Sequence, residues 1–336
     1  MPDPTALAQS GLSDYRIEGR MMRYSAFMPR LYNFCRSLGF RPDRIQPSRA
    51  FCSDESQGYP IILIAKHFGT FPFNHGRVGG IVATDRHGPH AEHGEDLVIL
   101  HASHVGYDPG QHTFGTYRRL RTHDAECGPN CGKIARVLAW YLEEYAYAQT
   151  NIRLEQNDGE WYIAVDNALF DQRRREGLFL HLNRFVAMPE NGARPAPTRT
   201  LSTARMFRAA PALVTDRPHS PRGQLAPIGT ELLPDMFYFG RPIADDLEGE
   251  GDAQIERNLQ PVMPSIVTAR HPLLAAAMAN TQIEFDRAYR SLVHSPHYHG
   301  KNLLFVSGLN IDISPGPEQP FPLTKFIPWA AYARLR

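Results

Sequence analysis

The feature that most constrains this chain is the run Leu97-Val98-Ile99-Leu100, which leads directly into His101 and His104. A short continuous apolar run bounded by turn signals fits a strand buried on both faces, and such strands belong to sheets covered by helices. Residues 132–150 (GKIARVLAWYLEEYAYAQT) supply one such helix, with Ile134, Val137, Leu138, Tyr141, Leu142 and Tyr145 at i, i+3, i+4, i+7 spacing. Between strand and helix lie a Gly-punctuated loop, Cys127 and Cys131. Imidazole and thiolate donors delivered at a strand end and a helix start point to a transition-metal site.

The remainder of the chain reads in the same terms. Residues 61–65 (IILIA) and 303–308 (LLFVSG) are expected as further buried strands, and residues 236–240 (MFYFG) as another. Helical spacing appears over residues 16–40, with a break at Met28-Pro29, and again over 264–294. Residues 170–186 (FDQRRREGLFLHLNRFV) read as a charged helix after the strand-like WYIAV. Buried strands alternating with helices argue for an α/β fold. Residues 1–15 are expected as a loosely held arm and 16–336 as a single domain. Within it, residues 189–260, rich in Pro, Gly, Arg and Thr, form an irregular Pro-rich insertion.

Charge excludes some functions. With 36 basic and 35 acidic residues the net charge is +1, which gives no basis for a nucleic-acid or anionic-membrane partner. No apolar run approaches the roughly 18–20 residues of a membrane span, and the N-terminus lacks the apolar core of a secretory signal. Four cysteines are too sparse for a disulfide scaffold. That favours a reducing setting, cytoplasmic or an organelle or microcompartment with a reducing interior.

The candidate donors are Cys52, His104, Cys127 and Cys131, with His101 as an alternative to His104. Soft thiolates mixed with imidazole suit Zn²⁺. Three protein ligands with an open fourth position are the catalytic pattern, whereas a fourth ligand such as Cys131 would make a structural site. Asp54, two residues after Cys52, is placed to contact water activated by the metal, and an arginine would keep it ionised and aimed. Arg118, Arg119 and Arg121 lie within range. Plainer readings stand beside these. Cys52 next to Phe51 also fits a buried thiol, Cys35 a small core residue, and His101 a hydrogen-bonded core or supporting histidine. His87, His90 and His93, and likewise His294, His297 and His299, occupy Gly- or Ser/Pro-rich loops that read as solvated surface. Phosphate-loop, dinucleotide, Gly-x-Ser-x-Gly and His-Glu-x-x-His motifs are absent.

Taken in order, Cys52-Ser53-Asp54-Glu55, Gly76-Arg77-Val78-Gly79-Gly80, Ser103-His104-Val105-Gly106-Tyr107 and Cys127-Gly128 leading into Cys131-Gly132 resemble the limiting-carbon-inducible B family. These are the theta-class carbonic anhydrases, similar to beta-class enzymes in their site. The resemblance spans about residues 50–135 and returns at Ser307–Asp312. Ser103 stands where the family has Pro, and Arg77 where it has Lys. The resemblance implies a beta-carbonic-anhydrase-like central sheet flanked by helices. It also implies Zn²⁺ bound by Cys52, His104 and Cys127, and an Asp–Arg dyad of Asp54 and Arg119. The activity implied is reversible hydration of CO₂ to bicarbonate by zinc-held hydroxide, in a homodimer, with His101 or a histidine of the 87–93 loop relaying protons. The alternative is a catalytically silent zinc protein that binds or senses inorganic carbon, with Asp54 or Cys131 in the fourth position.

Overall fold

In the computed structural model, which describes residues 21–84, 96–119, 127–170, 174–215, 223–243, 252–316 and 321–336, the chain starts with β1 (Met22–Arg23) and α1 (Tyr24–Ser37). β2 (Ile45–Ala50), α2 (Gly58–Phe68) and β3 (Phe73–Asn74) follow. The long β4 (Asp96–Asp108) is succeeded by β5 (Thr113–Phe114), β6 (Thr116–Arg118), β7 (Cys127–Pro129) and α3 (Gly132–Asn151). Short strands come next: β8 (Ile152–Asn157), β9 (Glu160–Asp166), β10 (Gly177–Leu180), β11 (Arg199–Thr200), β12 (Ala204–Arg208), β13 (Ala226–Pro227) and β14 (Phe237–Gly240). α4 (Asp252–Leu259), α5 (Pro272–His294), β15 (Asn302–Ile313) and β16 (Leu323–Arg334) complete the chain. Among the described residues no helix is long and apolar enough to cross a membrane.

These elements gather into two units. The first comprises the chain up to Val137 together with Ala244–Leu259 and His271–Arg336. Its mixed sheet runs β1-β16-β15-β4-β2-β3, with β5 on β4. β4 pairs in parallel with both β15 and β2, while β16 returns antiparallel to β15. The expected α/β fold, a central sheet flanked by helices, is the one observed. Alternation along the parallel pair explains why. Val98, Leu100, Ala102, Leu304 and Val306 pack with Tyr24, Met28 and Leu31 of α1 and Leu63 and Ile64 of α2. On the other face Leu97, Ile99, Leu303 and Phe305 meet Ala288 and Leu292 of α5.

The run at 61–65 is a correction: it lies in α2, not in a strand. An unbroken apolar run does not distinguish the two, and the flanking residues decide. Pro60 sits in the first helical turn, where its missing N–H costs no bond, and Gly69 closes the helix in the left-handed conformation with φ 75°. Pro60, Leu63, Ile64 and Phe68 are buried at helical spacing, whereas Ile62 is 54% exposed. α1 likewise continues through Pro29 rather than breaking there.

The second unit comprises Leu138–Ile243 with Gln260–Arg270. Its five-stranded sheet has the order β11-β12-β9-β8-β13, and β10 pairs antiparallel with β14. Among the described residues of 174–186 the expected charged helix is therefore not formed: Gly177–Leu180 is the strand β10, with Leu182–Phe185 a single helical turn. Pairing with Phe237–Gly240 satisfies the backbone of this apolar run, which overrides its helical spacing. Aromatic contacts organise this unit, with Tyr141 edge-on to Phe239 at 5.0 Å and Tyr145 stacked on Phe237 at 5.5 Å. The expected arm at 1–15 and the His87, His90 and His93 loop lie outside the described residues.

Substitution at 62 and 64 separates helix from strand, since a strand would place both side chains on one face. Ile64→Ala is expected to destabilise by about 2–5 kcal/mol and Ile62→Ala by no more than about 0.5 kcal/mol. Equal losses in urea unfolding would contradict the helix.

Candidate metal centre

Three buried donors converge in the first unit. Cys52 Sγ, Cys131 Sγ and a ring nitrogen of His104 all lie within 4.8 Å of one another. Tetrahedral zinc with Zn–S near ~2.3 Å and Zn–N near ~2.0 Å requires donor separations of roughly 3.3–3.8 Å, so small adjustments suffice.

His104 is aimed by its strand. The parallel register sets it opposite Asn310, and its Nδ1 meets Asp312 Oδ2 at 2.8 Å. Asp312 is itself held by Ser56 Oγ at 2.8 Å, Thr324 Oγ1 at 3.0 Å, and Gln57 Nε2 at 3.0 and 2.9 Å. A carboxylate on one ring nitrogen turns the other towards a metal. His104 Nε2 is buried with no hydrogen-bond partner, as a ligand nitrogen should be. Burial pushes the imidazole down, but Cys131 and Asp312 outweigh it and hold His104 well above its usual range.

Cys52 follows β2 and is gripped by backbone. Its Sγ accepts from the Gly79 N–H at 3.1 Å and from the Asp54 N–H. A hydrogen bond from Cys131, then the His104 imidazole and the Asp54 amide, hold the Cys52 thiol well below its usual range against the opposing effect of burial. Cys131 is pushed up by its hydrogen bond to Cys52 and by burial. Gly79 and Gly80 have φ of 71° and 79°, and a Cβ on Gly80 would meet the Ala102 carbonyl oxygen at 2.4 Å. Only glycine lets this turn lie against β4.

Cys131 stands just before α3. The Asn130 carbonyl accepts from Gly106 N at 2.9 Å and Asn130 N donates to the Gly115 carbonyl at 3.0 Å, which ties this turn beside His104. A Cβ on Gly106 would meet the Thr116 carbonyl oxygen at 2.4 Å, so its glycine permits that approach. Asn130 Oδ1 is a second buried polar atom here without a partner.

The donor set differs from the expected one at one position. The structure brings Cys52 and His104 together, but the third sulfur is Cys131, not Cys127. Cys127 belongs to β7, paired with β6, and its Sγ donates to Asp108 Oδ2 at 3.0 Å. The overlooked signal was the helix boundary: with α3 starting at Gly132, the Cys-Gly at a helix start is Cys131-Gly132. Asp312 was also missed, because nothing local marks a residue that acts across a strand pair.

Asp54 and Arg119 do meet, with Arg119 Nη2 3.7 Å from Asp54 Oδ2, while Asp54 Oδ1 accepts from Ser56 N at 3.0 Å. Arg119 also binds Glu55 through Nε and lies 5.7 Å from the Tyr117 ring. Arg118 turns instead towards Asp108, and Arg121 lies outside the described residues. His101 is no donor to the cluster. Its Nδ1 pairs with Ser307 Oγ at 2.7 Å and its Nε2 with the Gly80 carbonyl at 2.9 Å, and burial brings it down to about 4. Cys35 is fully buried in the core.

The sequence matches no family profile and no curated protein. Solved structures do match. The crystal structure of PtLCIB4, a homolog of the limiting CO₂-inducible protein LCIB, aligns with a TM-score of 0.55 at 11% identity, covering 94% of this chain and 91% of that one. A histidine-to-alanine variant of PtLCIB4 gives 0.55 at 11%, covering 99% and 95%. A serine-to-arginine variant gives 0.50 at 11%, covering 92% and 88%. At this identity the likeness establishes a shared fold.

Asp312→Asn would present an amide to neighbours that are all donors, and is expected to lower zinc affinity about 10–100-fold in chelator competition. Metal uptake should release protons, because a bound ion takes thiolate sulfur and neutral imidazole. Calorimetry in buffers of different ionisation enthalpy counts them, and uptake without proton release would contradict a thiolate–imidazole donor set.

Proposed function

We propose that this chain, which shares the fold of the LCIB homolog PtLCIB4, is a zinc-dependent carbonic anhydrase that interconverts CO₂ and bicarbonate. The observation that carries the reading is the buried Cys52–His104–Cys131 cluster, with His104 Nε2 unpartnered and Nδ1 fixed by a carboxylate. Three donors of this chemistry fit zinc and leave a coordination position open. Zinc held there supplies hydroxide near neutral pH, because it acidifies water.

The protein's own groups do the rest. Asp54 is tethered to the cluster by its backbone N–H on Cys52, and its carboxylate is fixed by Ser56 N and Arg119. So placed, it would accept a hydrogen bond from a hydroxide nucleophile and direct its lone pair towards CO₂, a positioning role. Arg119 holds that carboxylate in this direction. Asn130 Oδ1, buried beside Cys131, can accept a hydrogen bond from water or the bicarbonate hydroxyl. The reading includes a homodimer and a reducing compartment.

Stopped-flow CO₂ hydration tests it. Cys131→Ala is expected to abolish zinc binding and activity, Cys127→Ala to retain both, and Asp54→Asn to lower kcat about 10²-fold or more while zinc stays bound. A zinc-replete wild type without hydration activity, under reducing and oxidising conditions alike, would instead identify a silent zinc protein that binds or senses inorganic carbon.

A further inference from the structure

Behind the sheet face that carries His104 lies a buried polar chain that the reaction does not use. It starts at Glu284 of α5, fully buried, whose carboxylate is paired with Arg287 and accepts from Val82 N at 2.7 Å. Asn258 of α4 donates its amide nitrogen to Glu284 Oε2 at 3.1 Å and to Asn280 Oδ1 at 2.9 Å. Asn280, also fully buried, then donates its own amide nitrogen to the Gly79 carbonyl at 3.0 Å and to Ser103 Oγ at 2.8 Å.

Each orientation in this chain dictates the next. A carboxylate paired with arginine can only accept, so the Asn258 NH₂ must face it. That same NH₂ meets Asn280, so Asn280 presents its oxygen there and its NH₂ to Gly79 and Ser103. Both targets adjoin the metal donors. Gly79 is the residue whose N–H binds Cys52 Sγ, and Ser103 precedes His104 on β4. Gly79 is thus held at its carbonyl by α5 and at its amide by the Cys52 sulfur. We propose that Asn280 is a positioning residue of the metal centre, which sets the Gly79–Cys52 hydrogen bond and the β4 backbone at His104 from the opposite face of the sheet. This role rests on the metal reading above and extends it to α4 and α5, which supply no donor to the cluster.

The test compares zinc affinity, by competition with a chromophoric chelator, and the thiolate-to-cobalt charge-transfer absorption of cobalt-loaded protein. Asn280→Asp preserves the shape of the side chain but removes both donated bonds. It is expected to weaken zinc about 10–100-fold and to move the cobalt band, and Asn258→Ala, which frees the Asn280 amide to turn, is expected to act in the same direction. Thr281→Val removes a buried bond to the Ala277 carbonyl on the same helix and should leave both readouts at wild type. Unchanged affinity and spectrum in Asn280→Asp, or an equal loss in Thr281→Val, would overturn the role. If Asn280→Asp does not fold, Asn258→Ala against Thr281→Val decides by the same criteria. A wild type that takes up neither zinc nor cobalt would overturn the metal reading itself, a failure distinct from loss in the variants alone.

Discussion

The hydrogen bond from His104 Nδ1 to Asp312 Oδ2 is the interaction on which the centre depends. Both groups are buried, so neither could be left without the other at small cost. Asp312 has no room for a further role, since Ser56, Gln57 and Thr324 fill its remaining acceptor sites. Those partners also fix the turn that follows Cys52. One carboxylate therefore orients the imidazole and anchors the segment bearing the first sulfur.

The three donors reach the cluster by different means, and this gives each a different electrostatic character. Cys52 is surrounded by backbone N–H groups and the Cys131 thiol, which favour its thiolate form. Burial and the Cys52 sulfur oppose ionisation of Cys131. An ion bound in such a site would take thiolate sulfur and neutral imidazole, so its uptake would be coupled to proton release. The glycine turn at 79–80 and the close approach at Gly106 are the steric conditions for this arrangement, because a side chain at Gly80 or Gly106 would collide with backbone.

Much of the first unit was legible in the sequence. Leu97–Leu100 and residues 303–308 announced the two central strands, and soft donors at a strand end announced the metal chemistry. Cys52, His104, Asp54 and Arg119 are readable as candidates in the sequence, and the structure brings Cys52 beside His104 and Asp54 beside Arg119. The resemblance implies Cys127 as a ligand through a Cys-Gly at a helix start, a pattern that both Cys127-Gly128 and Cys131-Gly132 satisfy, and only the first residue of α3 discriminates. Asp312 and Asn280 were out of reach for another reason: their contacts depend on strand pairing and helix packing between segments about 200 residues apart. The second unit carries no chemistry-bearing motif, and its strands were only partly readable because β10 owes its form to its partner β14.

The parallel pairing of β4 with β15 joins segments on opposite sides of the second unit in the sequence. As the chain emerges during synthesis, Cys52, His104 and Cys131 are all available long before Asp312. Until β15 docks, the histidine has no fixed orientation and the turn after Cys52 has no anchor. Long-range parallel pairing is among the slower events in folding. The Cys52–His104–Cys131 cluster is therefore completed late, once the two ends of the sheet have found each other.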